Sequence, residues 1–201
     1  MYKVFKRIID FTLSLFGLIV LLLPMGIIAL LIKKEDGGPI LFLQDRMGIN
    51  GQKFKIYKFR TMIENAENVG TGLDSYSDDF RVTKIGYFLR NTSLDEIPQL
   101  FNILKGDMSI VGPRPPVYKT FINYPNIDKK FLIRFTVKPG ITGLAQVNGR
   151  NELSWDEKII YDKKYVESCH GIVGFIQDLK IIFKTIIKVL KNEGAYDKEG
   201  N

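Results

Sequence analysis

Phe11 to Ile32 contains no charged residue, and a stretch of that length meets the roughly 20 residues that a membrane-spanning helix needs. Pro24 lies past its middle, where the missing backbone donor and the ring's clash with the preceding turn predict a kink or a break. Lys3, Lys6 and Arg7 precede the stretch and Lys33 and Lys34 follow it. Basic flanks prefer the cytoplasmic face, so flanks at both ends suit a segment that returns to the side it left. Each half is too short to span alone, since Phe11 to Leu23 rises only about 20 Å. On these residues the re-entrant and spanning arrangements both stay open. The absence of a small-residue cleavage site after the run disfavours a cleaved signal peptide.

Beyond the apolar run the pattern shortens to strands. Ile40 to Asp45 and Gln52 to Phe59 flank Asn50-Gly51, a pair that favours a tight hairpin turn. Cationic and apolar side chains alternate in the second strand, from Lys53 to Arg60, which reads as a solvated basic strand or as one that docks nucleic acid. Asn65 to Asp79, rich in Gly, Asp, Ser and Asn, reads as a mobile loop. Ile172 to Lys191 predicts a long helix in which Lys180, Lys184 and Lys188 recur every four residues, while Leu179, Ile182, Phe183, Ile186, Ile187 and Leu190 fill much of the rest. Such a helix either lies in the headgroup plane of a membrane or packs on a core with a lysine edge. The N-terminal apolar run favours the first.

Composition narrows the chemistry. A chain of 201 residues suits one domain with attachments. Its 29 Lys and Arg against 22 Asp and Glu leave a formal charge of +7, which implies an anionic partner such as nucleic acid, phospholipid or a phosphorylated substrate. Cys169 is the one cysteine and His170 the one histidine. An internal disulfide, a Cys-rich zinc site, a poly-His metal centre and Ser-His-Asp chemistry therefore all lack parts.

The remaining signals fall between Arg90 and Arg150. Ser93-Leu94-Asp95-Glu96 matches a capping box, a helix start at which Glu96 would reach back to the capping serine. Pro98 would then lie too deep, whereas a start at Asp95 leaves it in the first turn, where no donor is missed. Either start puts Asp95 and Glu96 at the positive end of a helix, where anions gather. Gly112-Pro113-Arg114-Pro115 fixes an arginine between prolines and so preorganises a guanidinium for bidentate contact with phosphate; the plain alternative is a turn with an exposed arginine. Lys138 to Arg150 carries three glycines that permit a ligand to approach backbone amides closely. It matches neither a Walker loop nor a dinucleotide fingerprint. The chemistry alone supports a phosphate-handling site with carboxylates for a metal.

These residues together resemble the small monotopic polyprenol-phosphate phosphoglycosyl transferases, bacterial sugar transferases that start glycoconjugate assembly. The resemblance runs from Lys6-Arg7 through Tyr57-Lys58-Phe59-Arg60-Thr61-Met62, Leu94-Asp95-Glu96, Leu104 to Ser109, Val111 to Pro115 and Pro139 to Gly143. It implies a helix-rich α/β fold, in which residues 1–36 form a re-entrant membrane helix and 37–201 a compact cytosolic-facing catalytic domain with interfacial amphipathic helices. It implies Asp95 and Glu96 as catalytic dyad and magnesium ligands, and Arg114 as a phosphate ligand. Lys58, Arg60, Arg90, Pro113, Pro115, Gln146 and Arg150 are the further substrate-binding candidates. The implied partners are a UDP-sugar, polyprenol (undecaprenyl) phosphate and membrane lipids at the cytoplasmic face of the bacterial inner membrane, with no nucleic acid and with a homo-oligomer allowed. One departure is the membrane kink, where Leu23-Pro24 replaces the usual Ser-Pro and loses a hydroxyl that would satisfy a freed carbonyl.

The implied route is ping-pong, with Asp95 as nucleophile and a covalent aspartyl sugar-phosphate. A phosphate acceptor and a phosphate leaving group need little proton transfer, which favours metal ligation or positioning over general base catalysis for Glu96. The alternative from another class is a membrane-anchored binding module for anionic lipid or nucleic acid, which accounts for the charge but leaves the dyad and the Pro-Arg-Pro turn unused. A soluble hydrolase is disfavoured by the apolar run.

Overall fold

A computed structural model describes residues 1–70, 79–122, 129–149 and 152–191. The apolar run belongs to a longer helix, α1 (Tyr2–Asp36), closed by Gly37 in the left-handed conformation. Its buried residues, Tyr2, Asp10, Ser14, Leu18, Ile28 and Ile32, recur at helical spacing and form one stripe along its length. The other faces carry exposed apolar side chains, among them Phe16, Ile19, Leu22, Leu23 and Leu30. No break occurs at Pro24, because one helix continues through it. Pro24 removes the donor that Val20 would use, and contacts of Met25, Ile28 and Ile32 with the rest of the chain carry the helix past that point.

After α1 the chain forms an antiparallel hairpin of β1 (Leu41–Met47) and β2 (Lys53–Phe59), paired from Leu41↔Phe59 to Met47↔Lys53. Asn50 and Gly51 both take positive φ, as a left-handed turn requires. The connection nevertheless runs from Gly48 to Gln52, longer than a two-residue turn. Thr83 caps α2 (Lys84–Asn91) by accepting from the Gly86 amide at 2.9 Å. α3 (Gln99–Lys105) ends at Gly106, and β3 (Ser109–Val111) pairs in parallel with β4 (Gly140–Thr142). Between those strands lie α4 (Tyr118–Ile122) and a 3-10 segment, Lys129–Thr136. A capping box between Ser154 and Glu157 starts α5 (Trp155–Ser168), and α6 (Gly171–Leu190) completes the described chain.

Three apolar clusters organise this helix-rich α/β fold. Ile28 and Ile32 of α1 pack with Phe59 and Leu89; Ile56 packs with Ile103 and Met108; Val111, Leu144 and Val147 pack with Tyr165 and Ile181. α6 packs one stripe on the core through Ile181 and the partly buried Ile182 and leaves Lys180 and Lys184 exposed, while much of its remaining apolar surface is uncovered. Gly174, Asp178 and Ile181 are buried, whereas Leu179, Phe183, Ile186 and Leu190 are exposed. Of the segment read as a mobile loop, residues 71–78 lie outside the described residues. Its described start is pinned by buried Arg81, which donates to the Ala66 and Val69 carbonyls at 2.9 and 2.7 Å.

Candidate active site

Asp95 and Glu96 lie in a short 3-10 turn, Leu94–Glu96, directly before α3. The residues bracketing the pair, Leu94 and Ile97, pack into the cluster built on α1, β2 and α2, which anchors the turn from beneath. The expected capping box is absent. Ser93 is left-handed (φ 57°) and its side chain caps nothing, while Pro98 precedes the first residue of α3 and no helical donor is lost. Because α3 is only seven residues long, side-chain charges rather than a helix dipole dominate the environment of the two carboxylates.

Two cations face the pair. Lys58 Nζ lies 2.8 Å from Glu96 Oε1 and 3.4 Å from Asp95 Oδ2. Strand alternation puts Lys58 on the same face as Phe54 and Ile56, which pack against α3. Buried Asn102 of α3 fixes the edge of β2: its carbonyl accepts from the Tyr57 amide at 3.0 Å and its amide donates to the Lys55 carbonyl at 2.7 Å. The strand that delivers Lys58 is thus tied to the helix that follows the dyad. Arg114 Nη2 donates to the same Glu96 Oε1 at 2.9 Å, and its side chain remains 35% exposed. Glu96 therefore gathers both cations beside Asp95. Among the described residues the Asp95 carboxylate makes one polar contact, the long one to Lys58.

The other expected site residues divide. Pro113 and Pro115 flank Arg114 in the loop after β3. Arg90, on α2, donates from Nε to Thr61 Oγ1 at 2.9 Å. Arg60 is engaged elsewhere: it is buried, donates from Nε to the Pro39 carbonyl at 2.6 Å, and forms a two-point pair with Asp36 at the end of α1. It holds α1 to the hairpin rather than joining the dyad. Gln146 is buried in a short turn with both carboxamide atoms unpartnered among the described residues. Arg150 lies outside the described residues.

Of the three glycines expected to admit a ligand, Gly140 and Gly143 meet protein backbone and Gly149 lies against the Leu153 side chain. A Cβ on Gly140 would meet the Gly112 amide nitrogen at 2.1 Å, and one on Gly143 would meet the Gly112 carbonyl oxygen at 2.1 Å. Their missing side chains let the stretch before Arg114 dock on β4, where Gly112 N donates to Thr142 O at 2.8 Å.

Residue patterns did not point to Asp10, Arg46, Arg134 or Asp162. Asp10 Oδ2 accepts from Ser109 Oγ at 2.7 Å and Oδ1 from the Ile110 amide at 3.1 Å. Lys6, Asp10 and Ser14 follow one another at intervals of four, a polar stripe that becomes visible once the helix is started at Tyr2 rather than Phe11. Arg46 sits beside Arg114 and Glu96; burial, and then the nearby Arg114 charge, push its guanidinium down to about 10. Arg134 and Asp162 form a buried ion pair at 3.0 Å. Burial raises the Asp162 carboxyl to about 6, opposed by Arg134 and Lys158. Among the described residues no group of three or more His, Cys, Asp or Glu gathers as a metal cage.

Comparison with known proteins places the chain in a family. The model of the family described as bacterial sugar transferase matches residues 1–192. The chain is 43% identical over 200 residues to the UDP-glucose:undecaprenyl-phosphate glucose-1-phosphate transferase of Klebsiella pneumoniae, and 41% identical over 204 residues to the Galactosyl transferase CpsE of Streptococcus agalactiae. Those alignments cover 96% and 94% of this chain but 42% and 43% of the relatives, so the chain spans less than half of their length. It is also 42% identical over 196 residues to the Uncharacterized sugar transferase EpsL of Bacillus subtilis, covering 95% of this chain and 90% of that protein.

Proposed function

The chain belongs to the bacterial sugar transferase family, and from that premise we propose that it moves a sugar-1-phosphate from a UDP-sugar to undecaprenyl phosphate. The products are undecaprenyl diphosphate-sugar and UMP, and the step begins assembly of a glycoconjugate. The observation that carries the reading is the under-bonded Asp95 carboxylate beside Glu96, with Lys58 and Arg114 converging on them. A buried acceptor with one weak contact has bonding capacity for a ligand, and two cations beside it suit a diphosphate.

In the proposed route a carboxylate oxygen of Asp95 attacks the sugar-bearing phosphorus of the donor. The bond from that phosphorus to the bridging oxygen breaks, and UMP leaves with the electron pair. An oxygen of undecaprenyl phosphate then attacks the same phosphorus, and the Asp95 carboxylate is regenerated. Arg114 and Lys58 bind phosphoryl oxygens, and Glu96 sets the separation of these two cations. Asp95 and Glu96 offer the hard oxygen donors that suit magnesium, which takes one or two carboxylates together with substrate phosphates. Bound there, magnesium would supply charge neutralisation at the diphosphate.

The same reading puts the protein at the cytoplasmic face of the inner membrane, as one catalytic domain after a membrane-embedded helix. Exposed apolar faces on α1 and α6 support burial in a bilayer. Both ends of α1 are fastened to the one domain: Lys6 pairs with Asp178 and Asp10 bonds Ser109 near its start, while Asp36 pairs with Arg60 at its end. A spanning helix would carry one of these anchors across about 30 Å of hydrocarbon, so the double fastening supports entry and exit on one side.

Incubation with undecaprenyl phosphate, magnesium and a panel containing UDP-glucose and UDP-galactose tests the function directly. The expected result is UMP release together with a lipid-linked sugar. Binding of the lipid without UMP release from any UDP-sugar would favour the non-catalytic anchor instead.

A further inference from the structure

The loop that carries Arg114 cannot hold itself in place. Pro113, Pro115 and Pro116 have no amide hydrogen, so the segment offers mainly carbonyls and must find its donors elsewhere. Each carbonyl has one. Pro113 O accepts from Gly140 N at 3.0 Å and Pro116 O from Met47 N at 3.1 Å, both backbone donors. Between them, Arg114 O accepts from Arg134 Nη2 at 2.7 Å and Pro115 O from Arg46 Nη1 at 3.0 Å.

We infer that Arg46 and Arg134 are positioning residues for Arg114, two guanidiniums that grip consecutive carbonyls of the Pro-Arg-Pro-Pro segment so that the Arg114 side chain meets Glu96. This rests on the reading of Arg114 as a phosphate ligand. The two arginines come from different elements, Arg46 from β1 and Arg134 from the 3-10 segment before β4, so the loop is held from two directions. Arg134 is itself held, beside Asp162 at 3.0 Å and with its guanidinium carbon 5.4 Å from the Trp155 ring centroid.

Neither arginine is well explained as a stabiliser. Arg46 Nε and Arg134 Nε and Nη1 are buried without partners among the described residues, and each such orphan donor opposes folding. A buried ion pair is commonly replaceable by apolar side chains of similar volume at no loss of stability. What an apolar residue cannot supply is the donor to the loop carbonyl.

A double-mutant cycle on the full-length protein in nanodiscs tests this, reading UMP release from whichever of UDP-glucose and UDP-galactose supports the faster wild-type turnover. Arg46→Met should lower kcat/KM about 10- to 100-fold by misplacing Arg114. The paired change Arg134→Met with Asp162→Asn, which leaves no orphan charge, should do the same. In an Arg114→Lys background each change should cost less than about threefold further, because the group being positioned is already lost. Equal losses in both backgrounds would overturn the positioning role. Wild-type turnover by Arg114→Lys alone would instead remove Arg114 from the site, a failure of the functional reading that the cycle separates from the first.

Discussion

Asp178 and Asp95 are both buried carboxylates beside a lysine, and the chain finishes them differently. Asp178 Oδ2 accepts from Tyr2 Oη at 2.8 Å and Lys6 Nζ at 2.9 Å, and its Oδ1 lies 2.9 Å from Tyr165 Oη. Burial and Asp178 itself push the Tyr165 phenol far above its ordinary value, which keeps it a donor. Both carboxylate oxygens have a polar neighbour at 2.8–2.9 Å, and the cluster fastens α1 to α6. Asp95 lies 3.4 Å from a lysine that sits closer to Glu96, at 2.8 Å, and the neighbouring arginine keeps its side chain 35% exposed. The contrast separates a carboxylate that closes a structure from one whose bonding is left for a ligand.

Substitution by asparagine should split the two clusters most widely. Asp95→Asn keeps size but removes the anionic oxygen that the proposed route uses as its nucleophile, so UMP release should fall by a factor on the order of 10⁴ while thermal unfolding is little changed. Asp178→Asn should reverse the pattern: it strips Lys6 of its counter-charge and destabilises the protein by about 2 kcal/mol, with kcat within about twofold of wild type. Unfolding midpoints and UMP-release rates on the same preparations check both, and equal loss of activity in the two variants would break the comparison.

A smaller effect should come from Asp162. Its folded carboxyl is held near 6 by burial, above its ordinary 3.8, so the folded protein binds that proton more tightly than the unfolded chain. The associated stability is fully present below about 3.8 and is lost as pH rises through about 6. Unfolding midpoints across this window should fall with rising pH in wild type relative to Asp162→Asn. Parallel profiles would show that Asp162 titrates normally.

Much of the fold was legible because it depends on local pattern. The left-handed pair Asn50-Gly51 marked the hairpin, and the spacing of apolar residues marked α6. The site was legible only through the order of its motifs. Nothing in the sequence distinguishes Arg60, which pairs with Asp36, from Lys58 two residues earlier, which reaches the dyad. Lys58 lies near the end of β2 and Arg60 just past it, two residues apart and so on the same side by alternation, and the difference lies in which distant element each one meets. Gly140 and Gly143 marked a close approach, and what approaches them is the Gly112 backbone. Arg46 and Arg134 were invisible for the same reason, since their partners are carbonyls far along the chain, which no side-chain pattern records.

The most direct test of the account is the mass of the intact protein after mixing with UDP-sugar and magnesium in the absence of undecaprenyl phosphate. A nucleophilic Asp95 predicts a gain of one sugar-phosphate, mapped by peptide analysis to Asp95, with up to one equivalent of UMP released per active site and no adduct in Asp95→Asn. An adduct on Glu96, or UMP release that begins only when both substrates are present, would contradict it.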